Sequence, residues 1–391
     1  AWSDEGWTVD GAAVRVSMVC FCPENTGKYY LNGDPAPIIL ADLTARGPDS
    51  DMTRADQLNE NCRNSFIGVF VNGPYEIDGE QARLWLQMPQ NVDGSRNAEV
   101  LRPTLNGSDL LRGHSDKWVI DFGTGMAEQD AAMFEAPFTY IETNVKPFRQ
   151  RTKDGQFVVR RKNHRENWWR HAEARPGMRD AIRGLNRFIV TPMVSSTRVF
   201  CFVHGHILPN QKLVVIPRDD DACFGILSSK FHTCWTLAAC TWIGTGNDVT
   251  YSPTMTFETF PFPDGLTPNI PAAQYADDPR AQAIALAAAR LNELRENWLN
   301  PPDLVIRTPE VVPGYPDRIL AKDAAAEATL KKRTLTNLYN ARPAWLDHAH
   351  KALDEAVANA YGWADDWRAG TLTDDEILAR LFRLNQERAQ K

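Results

Sequence analysis

Apolar and polar positions alternate along "AAVRVSMVCF" (residues 12–21), which places Val14, Val16, Met18 and Cys20 on one side of a strand. A turn at "LNGDP" (31–35) leads into "APIILADL" (36–43), which predicts another strand. "PDSDMTRADQLNENC" (48–62) predicts a helix capped by Asp49 or Ser50, and "SFIGVFV" (65–71) a further strand. From about residue 80 to 265 the pattern is mixed. Short strands are expected at "KWVIDF" (117–122), "FTYIET" (138–143), "RFIVTPMV" (187–194), "RVFCFV" (198–203) and "KLVVIP" (212–217), with polar loops between them.

"TFETFPFP" (256–263) carries three phenylalanines and two prolines, so it can neither continue a helix nor sit in a central strand. It reads as a plug, with Phe257, Phe260 and Phe262 packed inside, closing the mixed region. "PDGLTPNIP" (263–271) reads as a linker, and nearly everything beyond it as helix. Ile284, Ala287, Ala288, Leu291, Leu294 and Trp298 recur at helical spacing, as do Leu346, Ala349, Leu353, Val357 and Ala360. A capping box from Thr373 to Glu376 opens a last helix that buries Ile377, Leu381 and Leu384.

At 391 residues the chain is long enough for two or three domains. Its 43% hydrophobic and 24% charged residues are those of ordinary globular protein. No apolar run approaches membrane-spanning length, so no membrane partner is expected. The opening "AWSDEGWTVDG" shows no signal peptide. Seven cysteines form no CxxC pair, and Cys20 and Cys22 are too close to bridge each other, which fits reduced thiols in a cytoplasmic protein.

Charge changes the picture. The net charge is −7, yet residues 146–218 hold 16 Lys/Arg against 4 Asp/Glu, a balance of +12. The remaining residues hold 27 basic against 46 acidic, or −19. An acidic body with a basic middle suggests that the middle meets a polyanion. Within it, Arg175, Arg179, Arg183 and Arg187 recur every four residues and would share one side of a short helix opened by Pro176, with Met178, Ile182 and Leu185 opposite. "RRKNHRENWWRH" (160–171) adds further basic side chains around Trp168 and Trp169, which are read as core anchors ahead of base-stacking platforms.

Two stretches imitate a methyltransferase. "WVIDFGTGMA" (118–127) is a strand ending in Asp and followed by Gly-x-Gly, with Glu142 where a ribose-binding acid would fall. A free-standing S-adenosylmethionine-dependent enzyme built on residues 121–125 is therefore an alternative reading, beside a protein-interaction module using the helical tail. "NPPD" (300–303) is one residue away from an Asn-Pro-Pro-aromatic motif, but Asp303 cannot stack on a flipped base, and a helix stop explains the prolines. The two HxH pairs lack clustered carboxylate or cysteine partners, so no metal site is expected.

The ordered set "AWSDEGWTVDGAAVRVSMVCF", "LNGSDL" (105–110), "KWVIDF", "VKPFR", "NWW", "RPGMR", "TPMVSSTRVF", "DDDACFGIL" and "TFETFPFP" resembles single-chain type II (type IIG/IIL, Mme-like) restriction–modification enzymes. In these an endonuclease, a gamma-class adenine-N6 DNA methyltransferase and a target recognition domain share one polypeptide. The resemblance implies an α+β chain: residues 1–80 as the last strands of a methyltransferase sheet, 81–265 as a mixed α/β target recognition domain, and 266–391 as a helical C-terminal region. It also implies that the nuclease, the S-adenosylmethionine site and the base-flipping motif lie upstream of Ala1. This segment would then carry no catalytic residue, cofactor or metal of its own. The expected role is sequence-specific recognition of double-stranded DNA for a bacterial, cytoplasmic phage-defence enzyme, with the upstream methyltransferase and nuclease domains as partners. Lys146, Arg149, Arg179, Arg183 and Arg187 are the candidates for phosphate contacts. Ser195, Ser196, Arg198 and His204 are the candidates for base edges, where Arg reads guanine bidentately.

Overall fold

A computed structural model describes residues 1–9, 12–21, 27–40, 43–45, 51–113, 115–240, 242–243 and 248–390. The centre of the molecule is a four-stranded antiparallel sheet in the order Cys201–His204, Arg187–Pro192, Leu213–Ile216, Phe66–Ile67. Successive side chains of a strand face opposite ways, and here both faces are covered. Phe188, Val190, Leu213 and Val215 enter one core, while Ile189, Val214 and Ile216 enter the other. This is why "RFIVTP" and "LVVI" read as continuous apolar runs instead of alternating ones.

The first core lies against a second four-stranded sheet, ordered Leu208–Pro209, Leu101–Leu105, Lys117–Ile120, Glu76–Asp78, and against helix Glu135–Gln150. The second core is made by helices Asp221–Ser228 and Lys230–Ala239 with the C-terminal helices Pro279–Leu299, Ala344–Ala360 and Asp374–Ala389. Gly225 lets the first of these approach Pro279–Leu299: a Cβ there would stand 2.6 Å from Ile284. The C-terminal helices thus complete a core begun by the central sheet.

The "TFETFPFP" plug sits in this second core, with Phe257, Phe260 and Phe262 fully buried. Its turned backbone leaves carbonyls that secondary structure cannot satisfy, and distant side chains take them up. The Asn61 amide donates to the carbonyls of Phe257, Glu258 and Phe260, Asn385 to Thr259, Tyr361 to Pro261 and Arg388 to Phe262.

Several expectations change. "FTYIET" is not a strand: Ile141, Val145 and Arg149 are buried along helix Glu135–Gln150, at four-residue spacing. The segment 48–62 holds two short 3-10 turns, Met52–Arg54 and Asn59–Asn61, and the first is capped by Asp51; Asp49 and Ser50 lie outside the described residues. Past Ala36 no strand forms in the described part of "APIILADL". The helical tail also contains a hairpin, Val305–Thr308 with Arg318–Ala321. The N-terminal alternation does form a hairpin, Trp2–Val9 with Ala12–Met18, and it exposes Trp2, Trp7, Val14 and Met18.

Candidate nucleic-acid interface

The four-residue arginine period does not become a helical stripe. Helix Pro176–Ile182 is only seven residues long, and Gly184, at a φ of 81°, ends it. Arg175 precedes the helix in a left-handed conformation, Arg183 is its extended cap, and Arg187 belongs to a strand. The four guanidiniums consequently meet four different surroundings.

Arg179 grips Asp121 with two parallel hydrogen bonds, 2.7 and 2.9 Å, and donates to the Ala174 carbonyl. Burial opposes ionisation of Asp121, but His171 and the Arg179 guanidinium overcome it and hold the carboxyl below its ordinary range. Arg187 donates to the Asp219 carbonyl, pairs with Asp221 at 2.9 Å and lies 3.7 Å over the Phe202 ring. Arg183 is the most exposed: its side chain is 77% exposed, and among the described residues its ion-pair partner is the neighbouring Asp180.

Arg149 leaves the phosphate set altogether. It is fully buried at the end of helix Glu135–Gln150 and donates to the carbonyls of Val71, Asn72, His164 and Arg170 and to the Tyr75 hydroxyl. It ties three segments, residues 71–75, the helix turn at His164 and the loop at Arg170, around one guanidinium. Lys146, one turn earlier, pairs with Glu142 at 2.9 Å and stands over Trp168, yet keeps its side chain 35% exposed. Trp168 and Trp169 are buried, as core anchors should be, and the Trp169 indole donates to the Met126 carbonyl.

The base-edge candidates divide in the same way. Ser195 is buried and closes a turn with Thr197, whereas Ser196 is exposed. Arg198 is clamped by Thr191, by the Pro192 and Val249 carbonyls and by the Tyr251 ring. Burial pushes its pKa down to about 10, so this side chain braces the sheet end in the present arrangement. His204 is half-buried, with its ring stacked on His206 at 5.0 Å. His206 in turn contacts Tyr315, which stacks on Trp118. Only glycine fits between the two histidines, because a Cβ at Gly205 would lie 2.0 Å from the Leu185 carbonyl oxygen.

The methyltransferase imitations resolve into structure. Asp121 is committed to Arg179, and the strand before it, Lys117–Ile120, runs antiparallel to both neighbours, so it lacks the parallel crevice of a nucleotide-binding sheet. Asn300 caps helix Pro279–Leu299 and donates to Glu296, so "NPPD" is a helix stop. Among the described residues no group of three or more His, Cys, Asp or Glu could hold a metal ion, and no helix is long and apolar enough to cross a membrane. Six described cysteines are unbridged, with Cys20 and Cys62 exposed and Cys223 buried.

Reasoning from sequence underused the segment that follows Arg149. Thr152–Lys153 pairs with Gln156–Phe157 across Asp154 and Gly155, which have φ of 53° and 75°. An Asp-Gly pair between two short extended pieces is a recognised hairpin signal. The hairpin is exposed and carries or adjoins Arg151, Lys153, Arg160, Arg161 and Lys162.

Comparison with known proteins bears on this surface. Residues 73–264 match the family described as the MmeI target recognition domain. A solved structure of the type IIL restriction–modification enzyme MmeI in complex with DNA is similar to the whole chain, with a TM-score of 0.65 at 16% identity. The match covers 100% of this chain and 46% of that one, so this chain spans less than half the length of the solved protein. At that identity the likeness is one of fold. No curated protein matches in sequence at a significant level. The stretch similar to the MmeI target recognition domain thus holds three of the four central strands, Arg149, the basic hairpin and the aromatic plug.

Proposed function

We propose that this chain recognises a specific sequence in double-stranded DNA on behalf of an adenine-N6 methyltransferase and endonuclease of the restriction–modification type. The observation that carries this reading is the family match across residues 73–264. The concentration of basic side chains in residues 146–218 of an acidic protein supports it, because phosphate neutralisation supplies much of the affinity in such complexes. Exposed Arg183 and Ser196 and half-buried Lys146 and His204 remain the candidates from the original set for contact with the duplex. S-adenosylmethionine and the target adenine would be handled by other domains of the same polypeptide, in the bacterial cytoplasm and for defence against phage. The exposed Trp2, Trp7, Val14 and Phe21 of the N-terminal hairpin region suit a surface covered by the methyltransferase domain.

Duplex binding by the 391-residue chain, followed by fluorescence anisotropy across a salt series, tests the reading. Affinity should fall linearly in log–log form, with about −0.9 in slope for each phosphate engaged. The isolated chain should transfer no labelled methyl group to DNA. Absence of duplex binding at low salt, or methyl transfer by this chain alone, would overturn it.

A further inference from the structure

Immediately after the buried Arg149, the chain leaves the body as a short arm. Residues 151–158 are exposed, and Val159 is the first residue to return to the interior. The arm is not loosely attached. Arg165 donates to the carbonyls of Val159 and Arg160, both at 2.7 Å, and lays its guanidinium 4.1 Å over the Phe157 ring. The Val158 amide closes the base by donating to the Arg151 carbonyl. A basic hairpin is therefore held at fixed geometry by a side chain from the helix that follows it.

Its charge is lopsided. Residues 151–162 contain Arg151, Lys153, Arg160, Arg161 and Lys162 against Asp154 alone. Arg161 pairs with Glu173 at 3.3 Å and Lys162 with Glu166 at 3.5 Å, both exposed pairs of small worth. Among the described residues no carboxylate lies within ion-pairing distance of Arg151, Lys153 or Arg160. Between the arm and the body lies a cleft of about 370 Å³ whose lining includes Arg151, Arg160, Arg161 and His164, with Glu173 as its one carboxylate. Burial and the charges of Arg149 and Arg161 push the His164 pKa down. Glu173 is already shared by Arg161 and Arg175, so Arg151 and Arg160 leave an excess of like charge around the cleft that a further anion would balance.

We propose that residues 151–162 form a phosphate-gripping arm. Arg151, Lys153 and Arg160 hold the sugar–phosphate backbone of the duplex beside the recognition surface, and the cleft receives one phosphate. Arg151 and Lys153 are two residues apart in an extended segment, about 7 Å, which is the axial rise of roughly two nucleotides on one strand. Fork-shaped guanidiniums at the base and a point-charge ammonium near the tip suit phosphodiester oxygens and carry no base preference. The inference rests on the proposed function and adds the element that supplies orientation.

The test uses the full 391-residue chain and a labelled mixed-sequence duplex, titrated across a salt series. With Arg151→Ala, Lys153→Ala and Arg160→Ala combined, the log K against log salt slope should flatten by about three units. Affinity should drop by the same factor on every sequence. An unchanged slope and affinity would overturn the arm while leaving the functional reading intact. Loss on one sequence only would also overturn it, since that is base readout. Failure of the unsubstituted chain to bind duplex at low salt would remove both. Should the triple variant melt early, Lys153→Glu at the exposed tip gives the same reading alone, with the slope flattened by at least about one unit if the arm grips phosphate and unchanged if it does not.

Discussion

Arg149, Arg179, Arg198 and Arg295 donate to backbone carbonyls or to a buried acid, while Arg151, Arg160 and Arg183 stand in solvent. The two groups have the same formal charge and interleave along the chain. A count of cations in residues 146–218 could mark the region but could not separate them, because burial depends on partners distant in sequence. Arg149 meets Val71, Asn72 and Tyr75 more than 70 residues away. His232 shows the electrostatic side of burial. It is fully enclosed, hydrogen-bonded to the Tyr251 hydroxyl at 2.9 Å and edge-on to Phe260. Burial, with the nearby Arg198 charge, pushes its pKa down to about 3. The unfolded chain, at about 6.5, takes up the proton first. Stability from this residue is therefore complete above pH 6.5 and is lost as pH falls from 6.5 toward 3, by at most about 1.4 kcal/mol per pH unit. Denaturant unfolding at pH 7 and pH 5 should show the advantage of the unsubstituted protein over His232→Gln shrinking by roughly 2 kcal/mol. Equal pH dependence of the two would contradict a neutral buried imidazole.

Elements with one strong period were legible, and those with competing signals were not. The C-terminal helices followed their apolar spacing, and Thr373 caps the last one by accepting from the Glu376 amide, but the Glu376 carboxylate pairs with Arg380 instead of closing the box. "FTYIET" misled because β-branched and aromatic residues favour strands, while the decisive spacing of Ile141, Val145 and Arg149 includes a charged residue that would not be expected inside. The arginine period was real in sequence but was cut by Gly184, so it never became a face. The aromatic plug was legible as packing, and its eight residues now account for carbonyls satisfied from four distant positions. Phe260 contacts the rings of His232, Trp235 and Phe262. Phe260→Ala should lower unfolding free energy by roughly 3–5 kcal/mol, read from the denaturant midpoint. A shift below about 1 kcal/mol would mean that the ring is not part of the core.

At the scale of the molecule, the central sheet is clasped between two cores, one whose buried residues lie between Val69 and Val215 and one completed by the C-terminal helices. Arg83 adds a polar tie between distant parts of the chain, holding Asp116 at 2.8 Å and Glu310 at 3.0 Å. Such bracing keeps exposed loops at the ends of rigid strands, where small differences in side chains can be read against a fixed frame. Sequence suggested a mixed region followed by a helical C-terminal region. It could not show that the C-terminal helices finish a core begun by the central sheet, because the two faces of "RFIVTP" are indistinguishable in composition. Selection from a pool of random duplexes by the 391-residue chain at moderate salt would show whether this frame discriminates among DNA sequences, as proposed. One short motif should be enriched progressively and bound roughly a thousandfold or more above unselected duplex. Retention of duplex without enrichment of any motif would contradict the proposal.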